Sequence, residues 1–417
     1  MDAVKSPEAD ESQRYLVVTG AFLSLVTLGM IAGSFGVFFK PLSNEFGWTR
    51  GDTSGAYSMA MLISGVMSIV LGRLADKFSP RLIIIGCGAI MGCASLLLSQ
   101  MNTIWQLYLY FGIMVGCGMA IMIPTTSLVA RIYKKRRGLF TGITLIGAST
   151  GPIIAAPFVT TLIDKYSWRT SYIILGAVVL VIVAISAVLL RDPIKENPLT
   201  LRVNSTTIGE VPAQRRSVLL KAIRARPFWL LGIILFCVGF AQSEIMVHII
   251  PHATDTGISP IAAAGIISVF QVACAMGNFS SGRANDIIGG GLSMIICLTS
   301  LALAFILLLI ANTIWFFYIA AILGGIGFGG AVTLRSTIVA ELFGLHSHGE
   351  ITGAIMFIST IGSAVGPLIA GYVFDVSNHY LWAFVITIIV CIIGLVMAWS
   401  LKSRFAALNR EGSKVIT

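Results

Sequence analysis

Charge is what this sequence has least of. Lys and Arg contribute 28 of the 417 residues and Asp and Glu 18, together 11%, where a soluble domain carries roughly a quarter. With 56% hydrophobic residues and a mean hydropathy of +0.91, that scarcity excludes a single water-soluble core. Bilayer hydrocarbon is the solvent such a chain needs. Cysteine is also sparse. Cys87, Cys93, Cys117, Cys237, Cys274, Cys297 and Cys391 fall inside apolar runs without metal or redox spacing, so they read as small packing residues and no metal is implied. No phosphate-binding loop, His/Cys cluster or filter-like repeat occurs. These absences argue against an enzyme, an ATP-driven pump or a channel, and imply no cofactor. The net charge of +10 sits in short loops and not on one face, which argues against nucleic acid as a partner.

What is there is a series of apolar runs long enough to cross about 30 Å of hydrocarbon at 1.5 Å per residue. Twelve can be marked: 16–39, 54–73, 82–101, 104–132, 138–163, 170–190, 227–250, 261–282, 292–311, 314–343, 350–374 and 380–401. The first is too long for the core of a signal peptide. The expected fold is an all-α membrane protein of two six-helix bundles, at 16–190 and 227–401. Around them lie an N-terminal tail (1–15), a polar inter-domain loop (191–226, with a short surface helix near Ser217–Ile223) and a C-terminal tail (402–417). Counting Lys and Arg in alternate loops gives 23 on one side and four on the other: Lys40, Arg50, Lys165 and Arg169. The positive-inside rule then predicts both termini cytoplasmic, in a multi-pass protein of the cell's inner (plasma) membrane that works as a monomer.

The two halves repeat. GRLAD, from Gly72 to Asp76, returns as GRAND, from Gly282 to Asp286; IGASTGPIIA, from Ile146, returns as IGSAVGPLIA, from Ile361. Two matches at nearly one offset predict a parallel six-plus-six repeat with a substrate cavity between the halves. Gly88/Gly92, Gly147/Gly151, Gly325/Gly329 and Gly362/Gly366 have the small-x-x-x-small spacing of close helix packing.

These motifs resemble the major facilitator superfamily over nearly the whole chain. The run from Gly72 to Arg81, GRLADKFSPR, keeps most of that superfamily's loop between helices 2 and 3, with Ser79 and Pro80 as departures. The resemblance implies a cytoplasmic gate built from Gly72, Asp76, Arg81, Gly282, Arg283 and Asp286. A narrower likeness is to the monocarboxylate-porter family, carried by Lys135, Arg136, Arg137, Leu139, Gly142, Ile143, Gly147 and Gly151. FFKPLSNEFGWTR after span 1 and HIIPHATDTGIS after span 7 look like that family too. The oxalate–formate exchangers, close relatives, share these motifs. The resemblance implies a secondary transporter of a small organic anion, with protons as the expected co-substrate. The alternatives are anion exchange, or a neutral-solute or multidrug carrier on the same scaffold.

A charge inside a span is expensive and marks a candidate site. Arg335 in span 10 lies about 12 Å from the inner helix end, with no acid three or four residues away. It reads either as a bidentate clamp for a carboxylate or as a structural arginine bonded to carbonyls or reaching toward the interface. Relatives of these families carry an arginine four positions before the span 8 glycine; here that position is Asn278, ahead of Gly282. The expectation is that Arg335 replaces that charge, with Asn278 and Gln271 as neutral hydrogen-bonders and Leu145 also among the substrate contacts. In span 7, Glu244 and His248 are four apart and can pair, giving either a proton-coupling site or an interfacial pair that fixes the outer gate.

Overall fold

In the computed structural model, residues 11–133, 137–190, 222–343 and 348–413 are described. Twelve of their helices are long and apolar enough to span a bilayer. In chain order they are α1 (Glu11–Phe46), α2 (Arg50–Lys77), α3 (Pro80–Leu98), α4 (104–132), α5 (Arg137–Lys165), α6 (Trp168–Leu189), α7 (Arg226–Asp255), α8 (Pro260–Ile288), α9 (Gly290–Leu309), α10 (Ile314–Phe343), α11 (His348–Ser377) and α12 (Leu381–Ser413). The twelve predicted spans are all present. Most of the predicted loop 191–226, including most of its expected short helix, lies outside the described residues, as do Lys135 and Arg136.

Starts and stops follow local chemistry. Thr49 and Ser167 cap α2 and α6 by accepting from the amides of Asp52 and Thr170. Pro80 and Pro260 open α3 and α8, where a missing N–H costs nothing. Gly289, at φ +82°, joins α8 to α9 in a turn a side chain would strain. The helix α4 is not uniform: Tyr108–Val115 winds as a π-helix and a break follows at Ala120 and Ile121.

The helices overrun the predicted spans at both ends. Lys40, Arg50, Lys165 and Arg169, counted as loop residues, are helical. α12 continues through most of the predicted tail. Hydropathy marks only the part of a helix that needs lipid, so it stops short where polar residues continue the helix into the interface.

Within each half the packing repeats as the sequence does. A Cβ on Gly147 would come 2.4 Å from the carbonyl of Phe22, and one on Gly151 the same distance from the amide of Met30, so α5 lies directly on α1. Gly362 and Gly366 do the same against the carbonyls of Phe236 and Phe240, laying α11 on α7. Gly325 and Gly329 seat α10 on α8, and Gly88 and Gly92 seat α3 on α6. All four small-residue pairs are packing surfaces, as their spacing predicts.

The halves meet mainly at the predicted outer end. The backbone of α1 at Gly36 touches the Met246 carbonyl of α7, and Gly371 of α11 touches the Arg50 carbonyl of α2. Ser268 of α8 donates to the Ile153 carbonyl of α5 at 3.0 Å. Toward the other end contact across the halves falls away. A Cβ on Gly72 or Gly282 would meet only its own bundle, and one on Gly142, Gly349 or Gly353 would meet nothing within 4 Å. Among the described residues, the molecule is closed at the predicted outer end and parted at the predicted inner end.

Candidate functional site

Two polar clusters lie where the helices converge. The first closes the outer end. Asp255, last residue of α7, accepts from Lys40 of α1 at 2.6 Å and from Arg50 of α2 at 2.8 Å. The Arg50 guanidinium lies 3.6 Å from the centre of the Phe374 ring and also donates to the Tyr380 hydroxyl at 2.6 Å. Asp375 of α11 takes the backbone amides of Arg50 and Gly51 on its two oxygens, at 2.7 and 2.6 Å. A carboxylate of one half thus caps the N-terminus of a helix in the other, where the helix dipole favours it.

The cluster continues inward through His248. Its Nε2 faces the Pro367 carbonyl at 2.9 Å and its Nδ1 faces the Tyr380 hydroxyl at 3.0 Å. A carbonyl only accepts, so Nε2 carries a proton. In the neutral ring Nδ1 then accepts from Tyr380, whose oxygen accepts from Arg50.

Glu244 and His248 are both fully buried, but they do not pair with each other. Glu244 turns to α12, where one of its oxygens hydrogen-bonds Thr387 and the other has no partner. The four-residue spacing put both on one side of α7, but each found a better partner on another helix. Thr387 also reaches the Ala383 carbonyl at 3.1 Å. A hydroxyl has one proton to give. If the carbonyl takes it, the Glu244 contact is complete only when the carboxyl supplies its own proton.

The second cluster lies deeper, between α8 and α10. Asn278 accepts from Thr333 at 2.9 Å through Oδ1, and its Nδ2 has only the Cys274 sulfur at 4.0 Å. Arg335 is half-buried two residues beyond Thr333; its Nε is enclosed and lacks a hydrogen-bond partner. No carboxylate among the described residues pairs with it. Gln271 is buried on the same face of α8 as Asn278, two turns away, and Leu145 on α5 is 38% exposed. Thr333 and Arg335 are two apart, about 200° around the helix, so Asn278 and Arg335 do not touch through that hydrogen bond.

Among the described residues, those of the predicted inner gate make no hydrogen bond or ion pair across the halves. Arg81 donates to the Ala187 carbonyl at 2.7 Å, tying α3 to α6 within its own half. Arg283 and Asp286 are exposed, and the Asp76 side chain lies outside the described residues. The sequence reading missed the outer lock altogether. Lys40, Arg50, Asp255, Asp375 and Tyr380 come from five separate helix ends. Only their position at the outer ends of apolar runs hinted at them.

Comparison with known proteins adds the following. The family model described as "Major Facilitator Superfamily" matches residues 21–252 and 233–415. The chain is similar to "Monocarboxylate transporter 13" of Rattus norvegicus, 26% identical over 89% of this chain and 85% of that protein. It is similar also to "Monocarboxylate transporter 12" of Homo sapiens, at 25% identity over 89% of this chain and 77% of that one. Among solved structures, a bacterial homologue of the human lysosomal transporter Spinster superposes with a TM-score of 0.77 at 17% identity, covering 96% of this chain and 99% of that one. The nucleoside transporter NupG does so with a TM-score of 0.73 at 16% identity, covering 94% and 99%.

Proposed function

The chain belongs to the major facilitator superfamily, and from that premise we propose that it carries a small organic anion across the membrane together with a proton. The observation that carries this reading is Arg335: a half-buried guanidinium inside a spanning helix, with no carboxylate beside it among the described residues. Such a charge is costly in a bilayer protein unless something arriving from solution neutralises it. A carboxylate matches its fork with two parallel hydrogen bonds. The curated relatives named as monocarboxylate transporters support the same substrate class.

Transport then proceeds by alternating access, with the anion entering the cleft between the halves and the outer lock releasing before it leaves or enters on that side. The energy comes from gradients. Glu244 is the proposed proton carrier, because it is fully buried, one of its oxygens has no partner, and Thr387 has a second acceptor in the Ala383 carbonyl. The test is Glu244→Gln. The amide keeps a donor toward Thr387 but has no proton to release, so pH-driven accumulation is lost while counterflow exchange persists. Unaltered accumulation in that variant removes Glu244 from the coupling.

The orientation has a separate test. Single cysteines replacing Asn102 and Asn204 are expected to label differently. The first reacts from outside in intact cells; the second reacts only after permeabilisation. The reverse pattern inverts the topology.

A further inference from the structure

The foot of α7 and the end of α12 enclose a groove of about 550 Å³ on the molecule's lipid-facing flank, at the predicted inner side. Arg224 and Arg226 line it, with Trp229 and Trp399 as its aromatic walls and Leu230 and Ile233 at its apolar floor. We propose that this groove binds the headgroup of an anionic phospholipid of the inner leaflet.

The composition fits that ligand at both ends. Both arginines are exposed, and neither has a partner among the described residues. Two guanidiniums without a partner among the described residues, Arg226 opening α7 and Arg224 just before it, add to the positive end of that helix, which favours a phosphate. Basic pockets between spanning helices on this side of a membrane take acidic headgroups for the same reason. The two indoles are 51% and 64% exposed, as expected of side chains that sit at headgroup level. Trp229 is fixed by donating to the Ile223 carbonyl at 2.8 Å, and the Lys402 ammonium lies 5.2 Å from the Trp399 ring. The groove therefore offers a third cation at its rim and a preset aromatic wall. Leu230 and Ile233 continue from the arginines along α7 toward the bilayer centre, the course an acyl chain follows below its phosphate. A soluble anion has no use for that apolar floor, so the lipid is the occupant the groove favours.

The site is distinct from the proposed substrate position at Arg335, and its test does not depend on transport. The full chain is reconstituted in nanodiscs of phosphatidylcholine carrying a small fraction of either spin-labelled phosphatidylglycerol or spin-labelled phosphatidylcholine, with the label high on the acyl chain. Quenching of tryptophan fluorescence reads occupancy. The labelled phosphatidylglycerol is expected to quench several-fold more efficiently, and a Trp399→Phe change is expected to remove a large share of that difference. Arg224→Gln with Arg226→Gln is expected to cut the preference on the order of tenfold, whereas Arg224→Lys with Arg226→Lys retains most of it. Millimolar inorganic phosphate leaves the quenching unchanged. Equal quenching by the two lipids overturns the proposal, as does an undiminished preference in the double glutamine variant. Displacement by phosphate alone assigns the groove to a soluble anion and overturns it equally.

Discussion

Arg335→Ala is expected to abolish carboxylate uptake, and Arg335→Lys to leave only a small remnant. The alanine removes the one cation available to the substrate within α10. A bound carboxylate is then left uncompensated in a partly desolvated cleft, and losing one member of such a pair costs roughly 3–5 kcal/mol, more than two orders of magnitude in affinity. The lysine restores charge but not the planar fork, so it binds as a point cation and loses the second hydrogen bond. Asn278→Ala is milder. It removes a neutral hydrogen bond worth about 1 kcal/mol, several-fold in affinity, and frees Thr333. The double variant Arg335→Leu with Asn278→Arg moves the charge onto α8 and, if both positions face one cavity, is expected to recover part of the activity. Equilibrium binding of labelled substrate to purified protein, followed by uptake into proteoliposomes, reads all four. Wild-type affinity in Arg335→Ala removes the residue from the substrate site.

The second large effect concerns the outer lock. Arg50→Ala takes away an ion pair to Asp255, the hydrogen bond to Tyr380 and the stack on Phe374 in a single change. The pair is partly exposed, its two side chains at 14% and 31%, so its contribution is well below that of a fully buried one. Allowing roughly 2 kcal/mol for the combined loss shifts the balance between outer-closed and outer-open forms by about 30-fold. Spin labels on the outer ends of α2 and α11 read that shift as a longer distance. Arg50→Lys keeps the charge opposite Asp255 and is expected to fall between. Asp375→Asn acts independently, because it weakens the cap on the α2 backbone and leaves the Arg50 side chain in place. An unchanged distance distribution in Arg50→Ala means the remaining contacts hold the halves: the Lys40–Asp255 pair, the Asp375 cap, and packing such as Gly36 against Met246.

These two clusters were not equally legible in the sequence. Arg335 announced itself, because a charge in the middle of an apolar run breaks the rule that most helix centres obey. The twelve spans, the repeat and the glycine seams were legible for a similar reason: hydropathy and small-residue spacing act locally along one helix. The outer lock depends on partners hundreds of residues apart. Arg50 and Asp375 meet across the two halves, and nothing near either position in the chain signals the other. Lys40 and Arg50 were counted as loop charges because hydropathy ends before the helix does. Glu244 and His248 show the opposite failure. Their spacing was a true local signal, yet Thr387, Tyr380 and the Pro367 carbonyl each offered a better contact. Tertiary contacts overrode the helix-surface rule.

The central claim, a proton-linked carrier of small carboxylates, is tested most directly by uptake into proteoliposomes. Labelled lactate, pyruvate, formate and oxalate are offered with and without an imposed pH gradient, beside an uncharged solute of similar size. The account predicts that at least one monocarboxylate accumulates above equilibrium only when the gradient is present, that Arg335→Ala abolishes the signal, and that the neutral solute is not moved. Accumulation of the neutral solute, or carboxylate uptake indifferent to both the gradient and Arg335, contradicts it.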